Sequence, residues 1–250
     1  MSMKAPGKRH RGAALIVAAV VLWCFNNPAT ISSATDPTLD HFECYWITHN
    51  KTNIVVSLVS RFESSTATLA KAKRLCLPAD QNGEDPSAPT HPEHLVSYLL
   101  RGVVDTTKFE SVHVNVNNEF GTFGVQIVRS NFLLVPSSAS LSSPPPPLSS
   151  STLDTFECYA VKVGPRLLDG HVMIEDELGT HQEVIRKVHL LCVPVDENGG
   201  GVVNPAAALM CFKTKLPELL GPVFANNQFG SQTFQQLRHQ TDLCVPSTIS

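Results

Sequence analysis

Past residue 25 the chain has no apolar run approaching the roughly 20 residues that cross a bilayer as a helix, and nothing in it reads as a basic amphipathic helix. It has no Cys-x-x-Cys, no His-Glu-x-x-His and no Gly-x-Ser-x-Gly. A dithiol redox centre, a zinc protease and an α/β-type serine hydrolase therefore lack their local signatures. Positive charge is also scarce once the first residues are set aside. Lys4, Lys8, Arg9 and Arg11 precede the apolar run Gly12 to Phe25, Asn26, Asn27 and Pro28 end that run, and Ser32-Ser33-Ala34 offers small residues for cleavage. This order predicts a secretory signal peptide over residues 1–34, with an uncleaved anchor as the alternative. Removing it takes four of the 19 Lys/Arg and none of the 22 Asp/Glu, leaving 15 minus 22, a charge of −7. Nucleic acid is a poor partner for such a surface.

What the chain does have is a cysteine framework on a repeat. Phe-Glu-Cys-Tyr occurs at Phe42 to Tyr45 and again at Phe156 to Tyr159, and Leu-Cys-x-Pro follows each at Leu75 to Pro78 and Leu191 to Pro194. A weaker copy lies inside each half. The opening position is filled by Cys44, Ser97, Cys158 and Cys211, each followed by Tyr or Phe; the closing position is filled by Cys76, Leu134, Cys192 and Cys244, each with Pro two residues on. Between them stand Phe62, Phe120, Leu178 and Phe229. Four repeats of one design account for this spacing. Cys24 leaves with the signal peptide, so Cys44, Cys76, Cys158, Cys192, Cys211 and Cys244 remain, an even set that reads as disulfides in an oxidising compartment. Cys44 and Cys76 are alone in the first half, which pairs them; the same pairing carried to the second half joins Cys158 to Cys192 and Cys211 to Cys244. Each closes a loop worth roughly 3–4 kcal/mol in the loop-entropy model.

Residues Ser137 to Ser151 are nearly all Ser, Pro, Ala and Leu, with Pro144 to Pro147 at their centre. They read as a linker over 138–153 between two β domains, 40–137 and 154–247. Val112, Val114 and Val116 alternate with polar residues, as do Val172 and Ile174. The expected fold is all-β: two tandem antiparallel sandwich or barrel-like domains, each of two repeats with three to four strands. Thr66 to Arg74 suits a strand or a short helix equally by composition.

On the motifs at His41 to Tyr45, His94 to Tyr98, Asn226 to Gly230 and Leu191 to Asn198, the chain resembles a family of uncharacterised exported bacterial proteins, with Glu197 where that family has lysine and Thr155 and Ala208 in place of the opening histidine. The resemblance implies export and repetition and lends no activity.

Candidate chemistry is thin. His91-x-x-His94 has one-turn spacing but contains Pro92, and a loop is the better reading. His41 and His94 share a repeat position, which suggests a common structural hydrogen bond. Asp80 to Asp85 and Asp196 to Gly199 resemble the start of a calcium loop but lack its closing glutamate, so an ordinary Asx turn and no cofactor is the reading, with calcium as the alternative. Glu175, Asp176 and Glu177 are expected at the surface. Tyr45, Trp46, Tyr98, Tyr159 and Phe212 suit core packing, with an exposed carbohydrate platform as the alternative. No catalytic, cofactor or metal residue is assigned. The expected function is a secreted, periplasmic or cell-surface binding or adhesion module that is structural and non-catalytic, with an unknown protein or glycan partner. The alternatives are a secreted hydrolase with a dispersed site and a carbohydrate-binding module.

Overall fold

The computed structural model describes residues 1–3, 39–48, 51–104, 109–164, 170–215, 222–235 and 237–250. Apart from its first three residues, the expected signal peptide lies outside the described residues. Ser33–Ser250 form one compact unit.

Strands dominate and pair antiparallel. Repeat one supplies β1 (His41–Ile47), β2 (Lys51–Ser60) and β3 (Ser64–Gln81), and repeat two supplies β4 (His94–Val104), β5 (Val112–Asn118) and β6 (Gly121–Ser140). Repeat three gives β7 (Phe156–Val163), β8 (Gly170–Asp176), β9 (Gly179–Ile185) and β10 (Val188–Glu197). Repeat four gives β11 (Leu209–Lys215), β12 (Val223–Asn227), β13 (Gly230–Phe234), β14 (Leu237–Pro246) and the short β15 (Thr248–Ile249). Thr66 to Arg74 is strand: Ala67 and Leu69 are buried, while Thr66 between Ser65 and Ala67 is exposed and Thr68 and Ala70 are half-buried, the period of a half-covered strand.

The opening and closing strands of the four repeats form a ring. Pairing runs β1-β3-β4-β6-β7-β10-β11-β14 and returns to β1. This corrects the expectation of two separate domains. β6 lies along β7 with Leu134 opposite Phe156, and β14 lies along β1 with Cys244 opposite Phe42, so both halves complete one barrel. Either half alone would leave two open sheet edges, and end-to-end pairing removes them. The Ser/Pro-rich segment is docked as well: Ser138 Oγ donates to Pro146 O (2.6 Å), Asn226 Nδ2 to Pro145 O (3.1 Å), and Thr152 Oγ1 to Glu93 (2.6 Å).

Alternation along each ring strand sends one set of side chains inward. Phe42, Cys44, Cys76, Leu95, Phe132, Leu134, Phe156, Cys158, Leu190, Cys192, Leu209, Cys211 and Cys244 form a single buried cluster drawn from all the ring strands. An eight-stranded barrel is just narrow enough for side chains to fill. Disulfides join Cys44 to Cys76, Cys158 to Cys192 and Cys211 to Cys244. Each joins residues directly opposite one another, and Ser97 faces Leu134 at the fourth such place.

The residue after each opening position faces outward and receives a hairpin from the repeat two places along. Tyr45 donates to Asp176, Asn227 donates to Tyr98 OH (2.9 Å), and Tyr159 OH lies 2.7 Å from Ser60 Oγ. Phe212 instead meets Phe120 edge-on at 5.0 Å. Ser60, Asn118, Asp176 and Asn227 are also the turn residues of the four hairpins, each accepting the backbone N–H two residues on. The exchange is reciprocal. β2 pairs the end of β10 and β8 pairs the end of β3, while β12 pairs the end of β6 and β5 pairs β15. Two outer apolar clusters result, one rich in residues of repeats one and two and the other in residues of repeats three and four.

Tyr45→Phe keeps the ring but leaves the buried Asp176 carboxyl without its hydroxyl donor. It should destabilise the protein by about 1–3 kcal/mol, read as a lower urea midpoint at unchanged m-value.

Candidate functional site

The fourfold plan gives every position three counterparts, so departures from it mark where something other than the fold constrains the sequence. The sharpest departure lies inside the barrel, two residues before the closing position. There Phe132 and Leu190 are apolar, but their counterparts are Arg74 and Asp242, 3% and 1% exposed. Arg74 Nε is 2.5 Å from Asp242 Oδ2, and His189 Nε2 is 2.8 Å from Asp242 Oδ1. The Arg74 guanidinium lies 4.5 Å from the Trp46 ring and 4.4 Å from the Phe132 ring. Burial alone would raise the Asp242 carboxyl, but Arg74 and His189 hold it below the usual carboxylate range. Burial lowers Arg74, and Asp242 opposes that. Lys73 Nζ lies 5.4 Å from the same Trp46 ring, and its pKa is lowered by burial and by Lys71, Arg74 and Arg101. Arg74 and Asp242 escaped the reading of the sequence, although a charge aligned with Phe132 and Leu190 was the available signal.

Acidic groups meet beneath the hairpins. Glu157 is buried and accepts from Ser130 Oγ (2.5 Å) and Tyr159 OH (2.6 Å). Burial and the nearby Glu157 push Glu63 up to about 7. Around Tyr45, burial raises Asp176, and His181 lies 3.5 Å from the buried Glu183. The surface expectation therefore fails for Asp176, which is buried on the inner side of its strand while Glu175 and Glu177 are exposed. These groups hold hairpins down; Tyr159 and Asp176 are both among the hairpin contacts already described.

The histidines separate. His91 Nδ1 bonds to Asp40 (2.9 Å) and Nε2 to Ser87 Oγ (3.1 Å), whereas His94 Nδ1 bonds to Pro92 O (3.1 Å) and Nε2 lies 3.4 Å from Glu177. His41 Nε2 lies 3.2 Å from Glu119. Glu119 and Glu177 occupy the same place in successive hairpin turns, so His41 and His94 each clasp the next repeat's hairpin. Two donor sets, Asp40 with Asp85 and His91, and His41 with Glu84 and Glu119, bring ligand-type atoms within 4.8 Å of one another. In the first set both nitrogens of His91 are already engaged; in the second, the His41 to Glu119 contact is the clasp that recurs at His94. Their geometry is accounted for without an ion.

The calcium-like segments are turns with a specific task. Asp80 Oδ1 accepts from Asp85 N (2.9 Å) and Asp196 Oδ1 from Gly201 N (3.1 Å). Asn82 and Asn198 sit at φ 55° and 56°, left-handed conformations that asparagine tolerates. Their side-chain oxygens accept from Met173 N (3.0 Å) and Ser57 N (2.9 Å) on the exchanged hairpins. The planar aromatic array is not formed, because Tyr45, Tyr98, Tyr159 and Phe212 are buried and Trp46 stacks with Arg74.

An open groove of ≈ 370 Å³ remains, lined by Pro147, Leu148, Ser150, Ser151, Asp154, Glu197, Gly200, Gly201, Val203, Gln228 and neighbours. Asp154 accepts from Val203 N (2.6 Å) and Asn204 N (2.8 Å), and Glu197 accepts from Gln228 Nε2 (2.6 Å). Burial raises Glu197. The groove's lining contains acids but no Lys, Arg or His.

Arg74→Ala leaves Asp242 buried without its cation and should cost about 3–5 kcal/mol, while Arg74→Met with Asp242→Leu should lie within a few kcal/mol of the parent in either direction; chemical denaturation of both variants checks this. The raised Glu63 predicts a pH slope. Its folded pKa exceeds the unfolded one, so its contribution is fully present below the ordinary glutamate range and is lost as pH rises through about 7. The melting temperature should fall over that window, and Glu63→Gln should flatten the fall.

A family model described as a repeat of unknown function (DUF7450) matches residues 98–246, which reach from inside repeat two to the end of repeat four. No curated protein and no solved structure matches the chain. The chain belongs to the family of this repeat of unknown function (DUF7450).

Proposed function

We propose that the protein is an exported, non-catalytic binding module that takes a polar, uncharged or cationic segment of a partner protein or glycan into the groove beneath residues 147–155. The observation that carries this reading is the groove itself. Two connections between repeats, around 147–155 and 200–203, form most of it over Pro136, Val195, Glu197 and Asn227 of the strands, and its lining offers acids, serines, glycines and prolines with no base. Its size lies in the range of small-ligand clefts. Three of the polar groupings that chemistry would recruit instead hold hairpins: Tyr45 with Asp176, Tyr98 with Asn227, and Tyr159 with Ser60 and Glu157. Three disulfides fit an oxidising compartment.

Two measurements test this. Expression with the native leader should yield a chain beginning near residue 35 by N-terminal sequencing; retention of residues 1–34 would instead make the leader an anchor. Immobilised glycan and peptide panels should show a ligand that the parent binds and Ser150→Trp, which fills the groove, does not. A ligand held equally by both proteins overturns the groove assignment, and turnover of a panel substrate overturns the non-catalytic one.

A further inference from the structure

The three disulfides are neighbours as well as bridges. Cys44 Sγ lies 3.7 Å from Cys244 Sγ, and Cys192 Sγ lies 3.9 Å from Cys211 Sγ. In ring order the sulfurs therefore follow one course, Cys158 to Cys192, Cys211 to Cys244, and Cys44 to Cys76. Between Cys76 and Cys158 the course is interrupted by Ser97 and Leu134, the pair of repeat two. All six cysteines are 2% exposed or less, so a thiol generated among them has other sulfurs within reach and solvent excluded.

We propose that this course is a thiol–disulfide relay: once an external thiolate has attacked Cys76 Sγ, forming a mixed disulfide there and releasing Cys44, the course carries the freed thiol from one side of the interruption to the other with no further oxidant or reductant. A Cys44 thiolate attacks Cys244 Sγ; the Cys44–Cys244 bond forms, the Cys211–Cys244 bond breaks, and Cys211 leaves as thiolate. Cys211 then attacks Cys192 Sγ, forming Cys192–Cys211 and expelling Cys158, which takes up the proton. Each step makes one sulfur–sulfur bond and breaks one, so the count of disulfides and electrons is unchanged. From a Cys192 thiolate, released likewise by attack on Cys158, the mirror-image steps run the other way: Cys192 attacks Cys211 Sγ and expels Cys244, and Cys244 attacks Cys44 Sγ and expels Cys76. The contacting cysteines are diagonal neighbours: Cys44 faces Asp242 while Phe42 faces Cys244, and Cys192 faces Leu209 while Leu190 faces Cys211. Both junctions have the same two-residue offset, so the strands must draw together similarly at each. Because repeat two lacks both cysteines, the course has two ends, and an odd sulfur has a defined place to go.

The test uses the exported chain as Cys76→Ser, held without oxidant at about pH 8.5, near the ordinary thiol pKa, then quenched in acid, alkylated and mapped as non-reduced peptides. Cys44–Cys244 and Cys192–Cys211 peptides and alkylated Cys158 should grow in together, at a rate independent of protein concentration. Cys158→Ser should yield the same two bridges with alkylated Cys76, and serves if Cys76→Ser does not fold. Cys44→Ser leaves its thiol on Cys76, at an end of the course, and should keep Cys158–Cys192 and Cys211–Cys244. The relay is overturned if Cys76→Ser and Cys158→Ser retain their thiols on Cys44 and Cys192 beside native bridges, or react solely between molecules.

Discussion

Everything else in this protein depends on closure of the strand ring. The opening and closing strands of each repeat are paired, and each repeat is paired to the next, so the last closing strand, β14, meets the first opening strand, β1. Closure creates an interior narrow enough for the inward side chains of all four repeats to touch. It also leaves no ring strand with a bare edge. The disulfides sit at the middle of this arrangement, each across directly opposed residues, and repeat two shows that a single position can do without one by placing Leu134 opposite Ser97.

The second layer of organisation is the exchange of hairpins between repeats one and three and between two and four. It explains why tyrosine follows cysteine. On a strand the two point to opposite faces, so the cysteine bridges inside while the tyrosine, outside, receives a turn from the repeat two places along. The turn residue serves twice, capping its own hairpin and bonding to the hydroxyl. Glycines at 121, 179 and 230 follow these turns with φ between 104° and 122°, a conformation that excludes a side chain without strain. The asparagines after β3 and β10 complete the exchange by accepting backbone N–H groups from hairpins far away in sequence.

Against so regular a plan, asymmetry is informative. Arg74 and Asp242 place charge inside a barrel whose other two repeats do well with phenylalanine and leucine at the same position, and a buried ion pair is rarely the stabilising choice. The groove beneath the Ser/Pro-rich connection is a second asymmetry, acidic and open, where the outer clusters are apolar and covered. The histidine and carboxylate groups near Asp40 and His41 look special in isolation. They lose that status once His94 and Glu177 are seen repeating the same clasp.

Repetition, β periodicity and the grouping of cysteines were legible in the chain because they are local: spacing between like residues and alternation along a strand need no knowledge of what lies opposite. The all-β class and the four repeats follow from them. Whether the halves stand apart or share one barrel was not legible, because Phe156 and Leu134 are equally good strand residues whichever strand they face. Asp176 looked like a surface acid for the same reason; only the arrival of Tyr45 from another repeat buries it. Arg74 and Asp242 lie far apart in sequence and meet because the ring closes. Sequence alone determined the pieces and their periodicity, while the tertiary structure decided partnership. Hydrogen bonding and burial reward any well-matched edge, and closure in three dimensions selects which edges meet.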